Sequence, residues 1–395
     1  MAFAHATTAA ALFIILLASS SSAAPPADPL FRCYDSIVNF GDSLSDTGND
    51  LVPGLHTGEC LAGNPPNGQA YFHHPTGRFS DGRIIIDFIA QSLGLPLLKP
   101  YFPEGNAEAA QRCREFSTGV NFAVSGASAL SYDFYVSIGY ANPYTTISLG
   151  TQVEWFRGFL AGFPDGGRKY AERSLVVVGS VGGNDYNHLL LHGWTLEQMQ
   201  LLVPKVTSYI ASVVQELIEL GAVTFLVPGN VPFGCFPDYL TIFEQSSTSN
   251  DYDPQIGCLS WLNELSGLHN DLLQKELQKV RELNPHANIM YADFYNAAMG
   301  MYRSPKQFGF GNQILRSCCG IGGRYNYNES ARCGTPEATC CDVPSEYISW
   351  DGIHFTEAAN RLISKALLQG RYTDPPFSTI CLNSTSNPRG AIADN

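Results

Sequence analysis

Apolar residues in this chain follow two rhythms. Short runs rich in β-branched side chains recur at Ser36 to Phe40, Val120 to Val124, Leu175 to Val178, Val223 to Val227 and Ile289 to Tyr291. Unbroken apolar character over a few residues marks a strand buried on both faces. Between these runs, Arg83 to Leu93, Pro204 to Leu220, Leu262 to Leu283 and Thr356 to Gln369 place apolar residues three and four apart, as amphipathic helices do. Strand alternating with helix predicts an α/β fold: a parallel sheet covered on both faces, with any site outside the carboxyl ends of the strands. Pro53 to Gly77 and Phe233 to Gly257 read as long loops rather than hinges. Ser304 to Tyr347 holds five Cys and reads as an irregular stretch held by disulfides. No internal repeat or low-complexity linker interrupts the chain, so residues 25–395 are expected to form one domain.

The first 24 residues have a different pattern. Leu12 to Ala18 is an apolar run followed by Ser19 to Ser22 and the small pair Ala23 and Ala24. That is the order of a secretory signal, although no Lys or Arg precedes the run and the positive end falls to the α-amino group and His5. The run is far shorter than the roughly 20 residues that span a bilayer, which counts against an uncleaved anchor. Later apolar runs are broken by Gly, Pro, Asn or charge, so no transmembrane segment is expected. The polar C-terminus, Ala391 to Asn395, carries neither an ER-retention signal nor a GPI tail. Sequons at Asn328 and Asn383 fit the same route. The expected location is extracellular or in the cell wall, with the vacuole as an alternative.

All 11 Cys follow the leader. In an oxidising compartment most would pair, and an odd count leaves at least one thiol. Cys318-Cys319 and Cys340-Cys341 are adjacent pairs, each expected to reach two distant partners, with the connectivity open. No CxxC or HxxxH spacing surrounds them, so no metal is expected. The adjacent His73 and His74 point apart without a carboxylate cluster and read as a solvated loop. A net charge of -13 argues against a nucleic-acid partner, which needs basic clusters.

Four polar motifs sit where the predicted strands end. Asn39-Phe-Gly-Asp-Ser43-Leu-Ser-Asp-Thr-Gly-Asn49 follows the first strand, and a helix beginning after Ser43 would aim free N–H groups at an anion. Taken alone, Ser43 is as well explained as a turn or N-cap residue, and the motif is not the Gly-x-Ser-x-Gly elbow. Ser349-Trp-Asp351-Gly-Ile-His354-Phe-Thr356 lies near the other end. A serine nucleophile needs an imidazole base and a carboxylate to orient it, and an Asp three residues before a His supplies both. A helix cap and a structural His explain the same pair. Ser125-Gly126 and Gly182-Gly-Asn184-Asp185 offer a backbone N–H and a side-chain amide for an oxyanion, or ordinary turn residues. Four such motifs in this order are hard to assign to turns.

Together the motifs resemble the plant-type GDSL esterase/lipases of the SGNH hydrolase superfamily, over nearly all the mature chain. Asn39 to Asn49, Asn121-Phe-Ala-Val-Ser-Gly126, Gly182 to Asp185 and Trp350 to Glu357 carry the resemblance, with Arg78-Phe-Ser-Asp-Gly-Arg83 as a further stretch. It implies a flavodoxin-like three-layer α/β/α fold and hydrolysis without metal or cofactor. It also implies Ser43 as nucleophile, His354 as base and Asp351 as its orienter, with Gly126, Asn184 and the Ser43 N–H as oxyanion donors. Ser125-Gly126, where many members have Gly-Gly, is similar to the branch containing sinapine esterase, acetylajmalan esterase and plant acetylcholinesterase, and points to acetyl or choline esters. An acyltransferase with the same triad and a cell-wall polysaccharide deacetylase are the alternatives. Arg78 and Asp81 either line the cleft or tie down a loop. Trp155, Phe156 and Phe159 fit a packed helix face.

Overall fold

The computed structural model describes residues 33–58, 60–102, 109–142 and 144–379. The leader and Asn383 lie outside this range. Five strands are parallel: β1 (Ser36–Phe40), β2 (Gly119–Asn121), β3 (Ser174–Val178), β4 (Thr224–Pro228) and β5 (Asn288–Ala292). Strands β6 (Cys319–Gly320) and β7 (Thr339–Cys340) form a separate antiparallel pair, and β8 (Thr373–Asp374) closes the main sheet antiparallel to β5. The main order is β2-β1-β3-β4-β5-β8, the doubly wound arrangement whose crevice opens beside β1 and β3. β1, β3 and β4 are buried throughout, as continuous apolar strands covered on both faces must be.

The helical periodicity places its elements correctly, with one boundary shifted. Helices span Ile85–Ser92, Leu196–Glu219, Ser260–Leu283 and Glu357–Leu368. The second starts eight residues before the expected Pro204, because Thr195 and Gln198 form a capping box that outweighs the proline as a start signal. Pro204 sits inside the helix instead. Contrary to expectation, this helix is long and apolar enough by length and composition to cross a membrane. Its apolar stripe, including Val206, Ile210 and Leu217, is buried where it packs on Ser260–Leu283. Within the expected loop Phe233 to Gly257, Pro237–Ile242 forms a short helix.

Phe156 and Phe159 pack with Phe40 and Phe122 beneath the sheet, and Trp155 meets Phe102 edge-on at 4.9 Å. The cysteine-rich stretch is stapled by Cys318–Cys341 and Cys319–Cys333, and Cys235–Cys258 closes another loop. The first adjacent pair thus reaches two partners, as expected. In the second, only Cys341 is bridged; Cys340 is a thiol, as are Cys60 and Cys113. Cys318, Cys340 and Cys341 bring three sulfurs together, but a disulfide already joins two of them, leaving no thiolate set for a metal.

Candidate active site

The turn after β1 presents Ser43. Gly41 has φ +157°, and a Cβ there would collide with Ser45 Oγ and the Ser180 carbonyl. Gln152 clamps the same glycine, accepting its N–H at 2.8 Å and donating to its carbonyl at 2.8 Å. The Asp42 N–H donates to Ser180 O, and the Asp42 carbonyl accepts from Ser45 and Asp46 N–H. The expected helix after Ser43 is only this turn, followed by a 3-10 helix at Asn49–Leu51. The reason is Asp46, whose carboxylate takes the N–H groups of Gly48, Asn49, Asp50 and Ser125. Those bonds curl the chain away from a helix and tie it to the segment after β2. Burial pushes Asp46 up to about 7, while the N–H donors pull it down.

Ser43 and His354, 311 positions apart, meet at 2.7 Å between Oγ and Nε2. His354 Nδ1 lies 2.6 Å from Asp351 Oδ2, so Nδ1–H donates a hydrogen bond to the carboxylate and Nε2 is left as an acceptor for the Ser43 hydroxyl. Asp351 Oδ1 also accepts the N–H groups of Ile353 and His354 at 3.0 and 2.8 Å. Burial alone would raise Asp351, but the His354 charge and these donors outweigh it and hold the carboxyl below its ordinary value. The ring of Phe79 stacks on His354 at 4.6 Å. Gly352, at φ +108°, makes the turn and leaves no room for a Cβ against Tyr327.

Gly126 and Asn184 border the same cavity as Ser43 and His354. Among the described residues, neither the Ser43 nor the Gly126 N–H donates to a protein acceptor, which leaves both for a ligand oxygen. Asn184 Nδ2 donates to Ala127 O at 3.1 Å. Asp185 locks the two segments together: its buried carboxylate accepts from Ala129 N, Leu130 N and the Tyr135 hydroxyl.

Arg78 and Asp81 tie down loops. Arg78 forks onto Asp87 with two 2.8 Å bonds and donates to Thr47 O. Asp81 accepts the Glu357 N–H at 2.6 Å, Ser80 donates to Phe355 O, and Arg83 pairs with Glu357. This strap joins the nucleophile segment to the histidine loop. His73 and His74 are exposed and bond only to nearby carbonyls. Asn328 is exposed, with Oδ1 accepting from Ser330 N.

His188 is a residue the motifs do not reveal. Its Nε2 lies 3.1 Å from Gly126 O, its ring stacks on Tyr144, and burial pushes it down to about 4. A neutral His188 therefore donates to the peptide that follows Gly126. The available signal was its position one helical turn after Asn184, on the same helix face. Gln152 left no signal, since it reaches Gly41 from 111 positions away.

Comparison with known proteins identifies the family. Residues 37–367 match the model of the GDSL-like lipase/acylhydrolases. A GDSL esterase/lipase of Arabidopsis thaliana is 44% identical over 366 residues, covering 92% of this chain and 91% of its own. Sinapine esterase of Brassica napus is 42% identical over 364 residues, covering 91% of this chain and 92% of its own. Among solved structures, phospholipase A1 from Streptomyces albidoflavus NA297 aligns at 13% identity and a TM-score of 0.35, covering 89% of this chain and 99% of its own. That likeness is too remote to carry an argument. The chain belongs to the GDSL esterase/lipase family as represented in plants, and is a carboxylic ester hydrolase of the SGNH fold.

Proposed function

We propose that the protein is a secreted serine esterase that works through an acyl-enzyme on small acyl esters, acetyl and choline esters foremost. The observation that carries this reading is the continuous chain from Ser43 Oγ through His354 to Asp351, with bonds of 2.7 and 2.6 Å. Ser43 Oγ attacks the ester carbonyl carbon while His354 Nε2 takes the hydroxyl proton. The carbonyl oxygen becomes an oxyanion, held by the N–H groups of Ser43 and Gly126 and by the Asn184 amide. As the intermediate collapses, the bond to the alkoxy oxygen breaks and His354 returns the proton to the leaving alcohol. Water, deprotonated by the same imidazole, then attacks the acyl-Ser43 ester and releases the acid. Asp351 stays ionised throughout and offsets the imidazolium charge.

The leader pattern of residues 1–24 and the exposed sequon at Asn328 support secretion. The resemblance of Ser125-Gly126 to the sinapine esterase branch supports the acyl and alcohol classes named. Ser43→Ala should abolish hydrolysis of p-nitrophenyl acetate, and an organophosphonate should add one label to the native protein, at Ser43. Full activity in the alanine variant would overturn the assignment.

A further inference from the structure

His188 stands on the wall of the cavity that holds Ser43 and His354. Its Nε2 lies 3.1 Å from Gly126 O, and a carbonyl oxygen only accepts, so Nε2 carries the ring proton. A neutral imidazole has one such proton, which leaves Nδ1 as a bare lone pair. Nδ1 has no hydrogen-bond partner among the described residues, and it is not sealed within the core. Since His188 is only 7% exposed, the accessible edge of its ring is the one that meets the cavity. Tyr144 and Tyr140 lie nearly parallel to the ring, at 5.2 and 6.3 Å, and fix the direction of that edge. Burial pushes the ring down to about 4, so the lone pair stays unprotonated at neutral pH.

We propose that His188 is a specificity residue whose Nδ1 accepts a hydrogen bond from a hydroxyl on a short acyl group, so that hydroxyacyl esters are preferred substrates. This rests on the esterase reading and names its acyl class more closely. The leaving alcohol lies against His354, which protonates it as it departs. His188 is held instead on the oxyanion side, by its bond to Gly126 and by its place one helical turn after Asn184 on the helix Asn184–Leu191. The acyl group is therefore the part of the substrate that reaches it. A hydroxyl there satisfies the lone pair. A methyl group of the same size excludes water from Nδ1 and leaves it unpaired, which costs binding.

The test pairs esters that carry a hydroxyl or a methyl group at the same position: ethyl hydroxyacetate with ethyl propanoate, and ethyl 3-hydroxypropanoate with ethyl butanoate. His188→Gln keeps an amide that can donate to Gly126 O but offers no acceptor at the Nδ1 position. Dividing the wild-type kcat/KM ratio of each pair by the same ratio in His188→Gln cancels the intrinsic reactivity of the esters. The quotient should be about fivefold or more for at least one pair; a value near one for both would overturn the proposal. Should the variant fail to fold, the wild type still decides. The amide 3-hydroxypropanamide should inhibit p-nitrophenyl acetate hydrolysis competitively at lower concentration than butanamide, and equal or weaker inhibition would overturn the proposal. Nitrogen NMR should find Nδ1 of His188 unprotonated, and a proton there would sink it as well. Failure of Ser43 to take the organophosphonate label would instead remove the esterase reading beneath it, while the NMR spectra report on His188 with or without turnover.

Discussion

The Asp81 carboxylate accepts the backbone N–H of Glu357 at 2.6 Å, although the two residues stand 276 positions apart. The bond fastens the start of the last helix, three residues beyond His354, to the strap that runs from the nucleophile segment. Asp81→Ala should therefore lower kcat for p-nitrophenyl acetate by about 10²-fold through misplacement of the imidazole, with a smaller change in KM. Steady-state kinetics check this. An unchanged kcat would show that the histidine loop holds its position without the strap.

In the proposed mechanism the Asn184 amide, which borders the cavity beside Ser43, donates where negative charge develops. Asn184→Ala should reduce kcat by about 10²–10³, with KM nearly unaltered, because the interaction strengthens only in the transition state. A change confined to KM would mean that the amide binds substrate and does not serve the oxyanion.

Arg78 and Asp87 form a forked ion pair with side chains only 6% and 0% exposed. Removing one partner strands the other. Asp87→Ala should destabilise the fold by about 3–5 kcal/mol, read from urea denaturation. Arg78→Met combined with Asp87→Leu should recover much of that loss, since neither charge is then left buried. A cost below about 1 kcal/mol for Asp87→Ala would place the pair among weak surface bridges.

His269 is fully buried, with Nδ1 bonded to the Tyr186 hydroxyl at 2.8 Å. Burial pushes it from 6.5 down to about 3, so the unfolded chain takes up a proton that the folded chain refuses. Its contribution is present above pH 6.5 and is lost as pH falls toward 3. Relative to His269→Asn, the wild-type stability should decline by about 1.4 kcal/mol for each pH unit lowered below about 6. Denaturation series at pH 6, 5 and 4 would reveal parallel stabilities if the histidine were protonated in the fold.

The sheet was legible in the sequence because continuous β-branched runs have few other uses, and Ser36 to Phe40 matches the observed strand residue for residue. The pairing of Asp351 with His354 was legible for a different reason: the two are local neighbours, so one tight turn delivers both. What escaped reading was long-range and polar. Gln152 clamps Gly41 from across the fold, and nothing in its own neighbourhood marks it. The early start of helix Leu196–Glu219 was missed because Pro204 suggested a first helical turn, whereas Thr195 and Gln198 satisfy the true one. The turn at Ser43 was misread as a helix because spacing does not disclose that Asp46 collects four N–H groups.

The 311 positions between Ser43 and His354 have a consequence for synthesis. Under the proposed mechanism, a growing polypeptide carries its reactive hydroxyl from the outset, but that hydroxyl stays as inert as any other serine until the last tenth of the chain has emerged and folded back. Hydrolytic power thus arrives late and all at once. A clip anywhere in the closing helix that loosens the histidine loop would silence the protein while leaving most of its sheet intact.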